Sequence, residues 1–210
     1  MKVSVRYMVL GPVQTNVYLV TNEETKHCVI IDPADKADYI SEQMTHAQII
    51  PDAILLTHGH FDHIGAVGKL QETYGAKELP VYAFCEEEEL LEDTSLNQSI
   101  YYDAVTVRAD HFLKDGDHIA PAGIPMQVLY TPGHTRGSCC YYLEEENLLF
   151  SGDTLFQRSV GRSDMPTGDE DTLVESIRRV LMALPDETNV LPGHGAPTTI
   201  SYERAHNPYI

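Results

Sequence analysis

The sequence predicts an α/β fold, a four-layer αββα sandwich in which two mixed sheets pack face to face and helices cover their outer faces. Three observations predict it. Apolar strand patterns come in blocks of two or three, separated by helical spacings, in each half of the chain. Several strands are continuous apolar runs, as expected of strands covered on both faces. Four strands each run into a glycine-bearing turn holding a His or Asp, and ligand loops at the carboxyl ends of strands are a general habit of α/β folds. The 210 residues, 42% of them hydrophobic, suit a single domain over residues 1–210 with a full core.

Val3 to Val9 and Asn16 to Val20 alternate around the turn at Gly11-Pro12, and Cys28 to Ile31 is a buried strand ending at Asp32-Pro33. Ile40, Met44 and Ala47 give helical spacing from Lys36 to Ile49, stopped by Pro51. Ala53 to Thr57 is the next buried strand, and Ile64, Val67, Leu70 and Tyr74 continue as a helix to Gly75. A strand at Pro80 to Ala83 precedes an acidic helix near Glu86 to Glu92, whose carboxylates suit a solvated helix start. Thr94 to Tyr102 is polar and fits no period. His111 to Ala120 reads as strand and turn. Strands follow at Met126 to Tyr130, Cys139 to Leu143 and Leu148 to Ser151, the last two joined by a turn at Glu144 to Asn147. A stripe of Leu173, Val174, Ile177, Val180, Leu181 and Leu184 predicts a helix ended by Pro185, before a last strand at Thr188 to Leu191 and a tail from Glu203.

The formal net charge is −18, with 32 acidic against 14 basic residues. That balance argues against nucleic-acid or anionic-membrane partners, which need basic surfaces, and leaves a small-molecule substrate. No apolar run approaches the roughly 18 residues of a membrane helix, and the amino terminus has a strand pattern instead of a signal peptide's apolar run. Cys28, Cys85, Cys139 and Cys140 lack zinc-ribbon or disulfide-framework spacing and read as reduced thiols of a cytoplasmic protein.

The chemistry concentrates in Thr57-His58-Gly59-His60-Phe61-Asp62-His63. His58 and His60, two apart, point to one side of an extended backbone, and Asp62 and His63 diverge from each other. One loop can therefore offer ligands to two neighbouring ions. Three fragments repeat the strand-then-turn pattern: Thr131-Pro132-Gly133-His134, Ser151-Gly152-Asp153 and Pro192-Gly193-His194. Five histidines and two aspartates exceed one four-coordinate zinc. They suit two adjacent metals sharing a carboxylate and a water. His27, His46, His111, His118 and His206 lack such context and read as surface or structural residues.

In this order, Thr-His-X-His-X-Asp-His, Pro-Gly-His, Gly-Asp and Gly-His resemble the metallo-β-lactamase fold superfamily, from Asn16 to Gly195. The resemblance implies that fold, with His58, His60 and His134 on one metal and Asp62, His63 and His194 on the other. Asp153 would bridge both, and Asp32 would support the site from behind. Two divalent ions are implied, zinc first, with iron or manganese as alternatives.

Ser151 to Phe156 and Val160-Gly161-Arg162-Ser163-Asp164 further resemble the hydroxyacylglutathione hydrolase (glyoxalase II-like) branch, in its short bacterial form. That implies hydrolysis of thioesters such as S-lactoylglutathione by a metal-bridging hydroxide, with Asp62 and Asp153 as the catalytic carboxylates that direct it. Longer members carry a carboxyl-terminal extension for glutathione that this chain lacks, so the natural thiol stays open. Arg162 is either a clamp for a substrate carboxylate or the partner of Asp164, and Arg158 reads as an internal pair. The rival readings are a persulfide dioxygenase with one iron on His58, His134 and Asp153, a lactonase, and a non-catalytic metal-binding module.

Overall fold

Two six-stranded mixed sheets carry the fold of this computed structural model, which describes residues 2–210. The first sheet runs in chain order through β1 (Val3–Leu10), β2 (Thr15–Asn22), β3 (His27–Ile31), β4 (Ile50–Leu55), β5 (Val81–Phe84) and β6 (His111–Leu113). Its first three strands pair antiparallel and the rest parallel, with α1 (Ala37–Ala47), α2 (Phe61–Ile64), α3 (Val67–Tyr74) and α4 (Glu88–Glu92) in the connections. The second sheet holds β7 (His118–Ile119), β8 (Met126–Tyr130), β9 (Cys139–Leu143) and β10 (Leu148–Gly152). A ribbon of β11 (Leu155–Phe156) and β12 (Ser159–Val160) and helix α5 (Glu170–Arg179) lead to β13 (Asn189–Pro192), β14 (Thr198–Thr199) and α6 (Ile200–His206).

Side-chain alternation explains the continuous apolar runs. In β3, Cys28 and Ile30 face one apolar cluster with α1 and α3, while Val29 and Ile31 face another between the sheets. In β9, Cys139, Tyr141 and Leu143 face the middle cluster, and Cys140 and Tyr142 face a third with Leu173 and Ile177 of α5. Three clusters are what four layers require. Each fully buried Ile or Leu in them contributes about 1.5–3 kcal/mol.

Four expectations are corrected. The predicted helix to Leu184 stops at Arg179, and a 3-10 turn at Leu181–Ala183 keeps Leu181 in the apolar stripe. The expected strand and turn at His111 to Ala120 is two strands, one in each sheet, so the chain crosses layers there. The tail after β14 is helical because Thr199 caps α6, its hydroxyl accepting the Tyr202 N–H. Finally, the acidic run at Glu86 to Glu89 is not wholly solvated. Glu87 turns inward from a 3-10 turn and is 1% exposed.

The four cysteines are unpaired thiols, all buried except the half-buried Cys85. No described helix is long and apolar enough to cross a membrane.

Candidate metal centre

Strand direction gathers the donors. β8 and β10 both run antiparallel to β9, and β13 runs parallel to β10, so the carboxyl ends of β8, β10 and β13 share one edge. His134, Asp153 and His194 follow those ends. The end of β4 meets the same edge, where the Cys139 N–H donates to the Thr57 carbonyl. The loop after β4 carries His58 and His60, and α2 begins so as to present Asp62 and His63. All seven sequence-predicted donors come together.

They form two groups. His60 Nδ1 lies 2.9 Å and His58 Nε2 3.2 Å from His134 Nε2. His63 Nε2 lies 3.4 Å from both His194 Nε2 and Asp62 Oδ2, and His194 Nε2 is 3.2 Å from Asp62 Oδ2. Each triad keeps its ligand atoms within 4.8 Å of one another. Asp153 stands between them, with Oδ1 3.4 Å from His63 and Oδ2 3.6 Å from His134 and 3.4 Å from His194.

The rings are held from behind. His134 Nδ1 donates to the Arg162 carbonyl at 2.7 Å, which fixes its tautomer and leaves Nε2 as a free lone pair. His63 Nδ1 donates to Asp32 Oδ2 at 2.9 Å, and the same carboxylate accepts the Thr57 hydroxyl at 2.6 Å and the Thr57 N–H at 2.8 Å. Having donated to Asp32, the Thr57 oxygen can accept from His58 Nδ1 at 3.1 Å. Asp32 holds a left-handed φ of 49°, a strained backbone stabilised by these three bonds. Asp32 also falls within ligand distance of His58 and His63, but hydrogen bonds already engage its oxygens, so it supports rather than ligates.

Charge divides the two groups. Burial pushes His58 well down and His60 down to about 3, and it lowers His134 as well. These three imidazoles are neutral and ready to ligate. Burial also opposes charge on His63 and His194, yet their carboxylate neighbours, Asp62 and Asp153 foremost, overcome it and raise them to about 9 and about 11. Asp62 and Asp153 are in turn held low by those histidines, against the effect of burial.

The donor set fits divalent metal ions. The ligand atoms of each group converge at contact distance, and the buried Asp153 Oδ1 between the groups has no hydrogen-bond partner. Packing around Asp153 is tight enough to require glycine nearby. A Cβ on Gly193 would sit 2.2 Å from Asp153 Oδ1 and 2.8 Å from His63 Cε1.

Sequence reasoning missed several residues here. Glu87 Oε1 accepts the Gly59 N–H at 2.8 Å and the Thr135 hydroxyl at 2.9 Å, and its Oε2 accepts the Gly137 N–H at 2.8 Å. It thereby ties the His58–His60 loop to the loop after His134. Thr15 donates to Asp62 Oδ2 at 2.8 Å. Gln98, Tyr101 and Tyr102, from the stretch that fitted no period, wall a cleft of about 330 Å³ above the donors. Arg162 lines it too, while its guanidinium donates to both Asp164 oxygens at 2.7 and 2.9 Å. Arg158 lies outside that lining, and its backbone N–H donates to the buried Glu203. The five histidines read as surface or structural are exposed or half-buried, away from the cleft.

Residues 10–194 match the family described as the Metallo-beta-lactamase superfamily. The hydroxyacylglutathione hydrolase GloC of Haemophilus influenzae is 33% identical over 94% of this chain and 93% of its own length. Among solved structures, the BLEG-1 B3 metallo-beta-lactamase superposes with a TM-score of 0.92 and 41% identity, covering 98% of this chain and 99% of that one. TTHA1623, crystallised in a di-iron-bound form, superposes with a TM-score of 0.86 and 39% identity over 98% and 100% of the two chains.

Proposed function

We propose that this chain, which belongs to the metallo-beta-lactamase superfamily, is a two-metal hydrolase of thioesters. The observation that carries the reading is the pair of complete donor triads with Asp153 between them. His58, His60 and His134 would hold one ion, Asp62, His63 and His194 the other, and Asp153 both. The di-iron form of TTHA1623 supports two ions in this fold and leaves zinc, iron and manganese open here.

Bound divalent ions supply hydroxide near neutral pH and polarise a carbonyl. The chain's own residues do the rest. Asp62 and Asp153, kept ionised, accept hydrogen bonds from the attacking water and direct it. Thr15 fixes one Asp62 oxygen, and Asp32 fixes the His63 ring. A thiolate leaves without acid assistance, because thiol pKa values lie near 8.5. The likeness to GloC supports hydroxyacyl thioesters such as S-lactoylglutathione. The likeness to BLEG-1 favours a second reading, β-lactam hydrolysis, on the same floor of donors.

The test is an assay of metal-loaded protein against S-lactoylglutathione, a lactone and a β-lactam in parallel, with His60→Ala as control. Thiol release lost in the control supports the proposal. Turnover of the β-lactam or the lactone without the thioester overturns it.

A further inference from the structure

We infer that the cleft selects thioesters with an apolar, and best an aromatic, acyl group seated on the Phe61–Tyr102 stack, while a carboxylate on the thiol portion reaches Arg162. This rests on the thioester reading above. In the reaction, water oxygen bonds to the acyl carbon and the C–S bond breaks. The sulfur keeps the bonding pair, and the products are a carboxylate, a thiol and a proton.

The apolar wall is a built feature. The Phe61 and Tyr102 rings stack with centroids 4.1 Å apart and planes 13° from parallel. Phe61 and Tyr102 line the same cleft as the donors His60, Asp62, His134, Asp153 and His194. Its Tyr102 half comes from a distant loop, pinned where the Phe61 N–H donates to the Asn97 carbonyl at 2.9 Å. Asn97 is fully buried, with its amide donating to the Val105 carbonyl and its oxygen accepting the Ser99 N–H. Tyr101, Tyr102 and Val13 are 76%, 55% and 43% exposed along this rim. All three line the cleft over the donors, so its rim offers apolar surface to a ligand.

The charged part of the lining is different. Arg162 is the one lysine or arginine lining the cleft among the described residues. Its exposed pair with Asp164 uses two of the five guanidinium N–H donors, which leaves three for a ligand carboxylate. A second hollow that shares Phe61 and Tyr102 adds Asp35 and Asp103 and no cation. A thioester has two arms. The arm with a carboxylate belongs at Arg162, and the uncharged arm belongs on the rings. A thiol bearing several phosphates would meet one cation among many carboxylates.

The test compares kcat/KM of the metal-loaded protein for S-phenylacetylglutathione, S-lactoylglutathione and phenylacetyl-coenzyme A. Calorimetry of two thioethers that cannot be hydrolysed, S-phenethylglutathione and S-methylglutathione, runs beside it. The phenylacetyl glutathione ester should exceed the lactoyl ester by about tenfold and the coenzyme A ester by more. Tyr102→Ala should cut the phenylacetyl-to-lactoyl ratio about three- to tenfold, the worth of one aromatic stack, and Tyr102→Phe should keep it. A ratio near one, a ratio unmoved by Tyr102→Ala, or a preference for the coenzyme A ester overturns the inference. Discriminating thioether binding without any thioester turnover would instead overturn the thioester reading and leave the aromatic wall standing.

Discussion

Glu87 Oε1 accepts the backbone N–H of Gly59 at 2.8 Å, although the two residues lie 28 positions apart. Gly59 separates His58 from His60, and the other Glu87 oxygen holds Gly137 beyond His134. One buried carboxylate thus sets the spacing of the three-histidine group. In Glu87→Gln, the amide NH2 must face a backbone N–H, leaving one buried donor unsatisfied. Metal affinity of the His58, His60 and His134 group should fall about ten- to a hundredfold, as for lost support behind ligands, while the other group changes less. Titration against a competing chelator checks this, and equal weakening of both groups would contradict it.

Glu87 also sets a pH dependence. Burial pushes its pKa from 4.5 up to about 7, despite the hydrogen bonds that favour its charge. Between those values the folded state holds a proton that the unfolded state has released, so folding stability falls as pH rises through that window. The loss reaches about 3 kcal/mol by linkage and levels off above pH 7. Urea unfolding of metal-free protein should show the stability difference, wild type minus Glu87→Gln, shrinking between pH 4.5 and 7. A difference independent of pH would contradict the assignment.

The two donor groups should take up metal with different proton balances. His63 and His194, raised to about 9 and about 11, carry protons at neutral pH in the metal-free protein. Filling that group displaces about two protons, whereas the neutral His58, His60 and His134 release none. Affinity at the Asp62 group should therefore climb more steeply from pH 6 to 8. Calorimetry in buffers of different ionisation enthalpy measures the proton release.

Gly193→Ala tests the crowding around Asp153. The added methyl would lie 2.2 Å from Asp153 Oδ1 and 2.8 Å from His63 Cε1, with the Gly152 backbone 3.2 Å away. The carboxylate must shift from its place between the groups. The variant should lose about 1–3 kcal/mol of stability and bind metal with lower stoichiometry. A melting temperature and metal content equal to wild type would show that the site tolerates the displacement.

The layered fold and the seven donors were legible because the donors come in four short fragments, each a glycine-bearing turn after an apolar strand, a local pattern that survives without coordinates. Asp32 was legible only through the family resemblance, since an acid before Pro33 has an ordinary local reading. Glu87 was hidden among four consecutive acids, where nothing in the sequence says which turns inward. The aromatic wall was hidden as well. Tyr102 depends on Asn97 and Phe61, and a loop built around one buried amide leaves no period to read. The α6 helix is too short for an apolar stripe, and its Thr199 cap is visible only once its end is known.

Metal content of protein purified without added metal, followed on the same sample by S-lactoylglutathione hydrolysis and oxygen uptake, tests the central claim most directly. The account predicts two divalent ions per chain, thiol release, no oxygen consumption, and loss of one ion with activity in Asp153→Ala. One iron per chain, with oxygen consumed on a persulfide and no thioester hydrolysed, would contradict it.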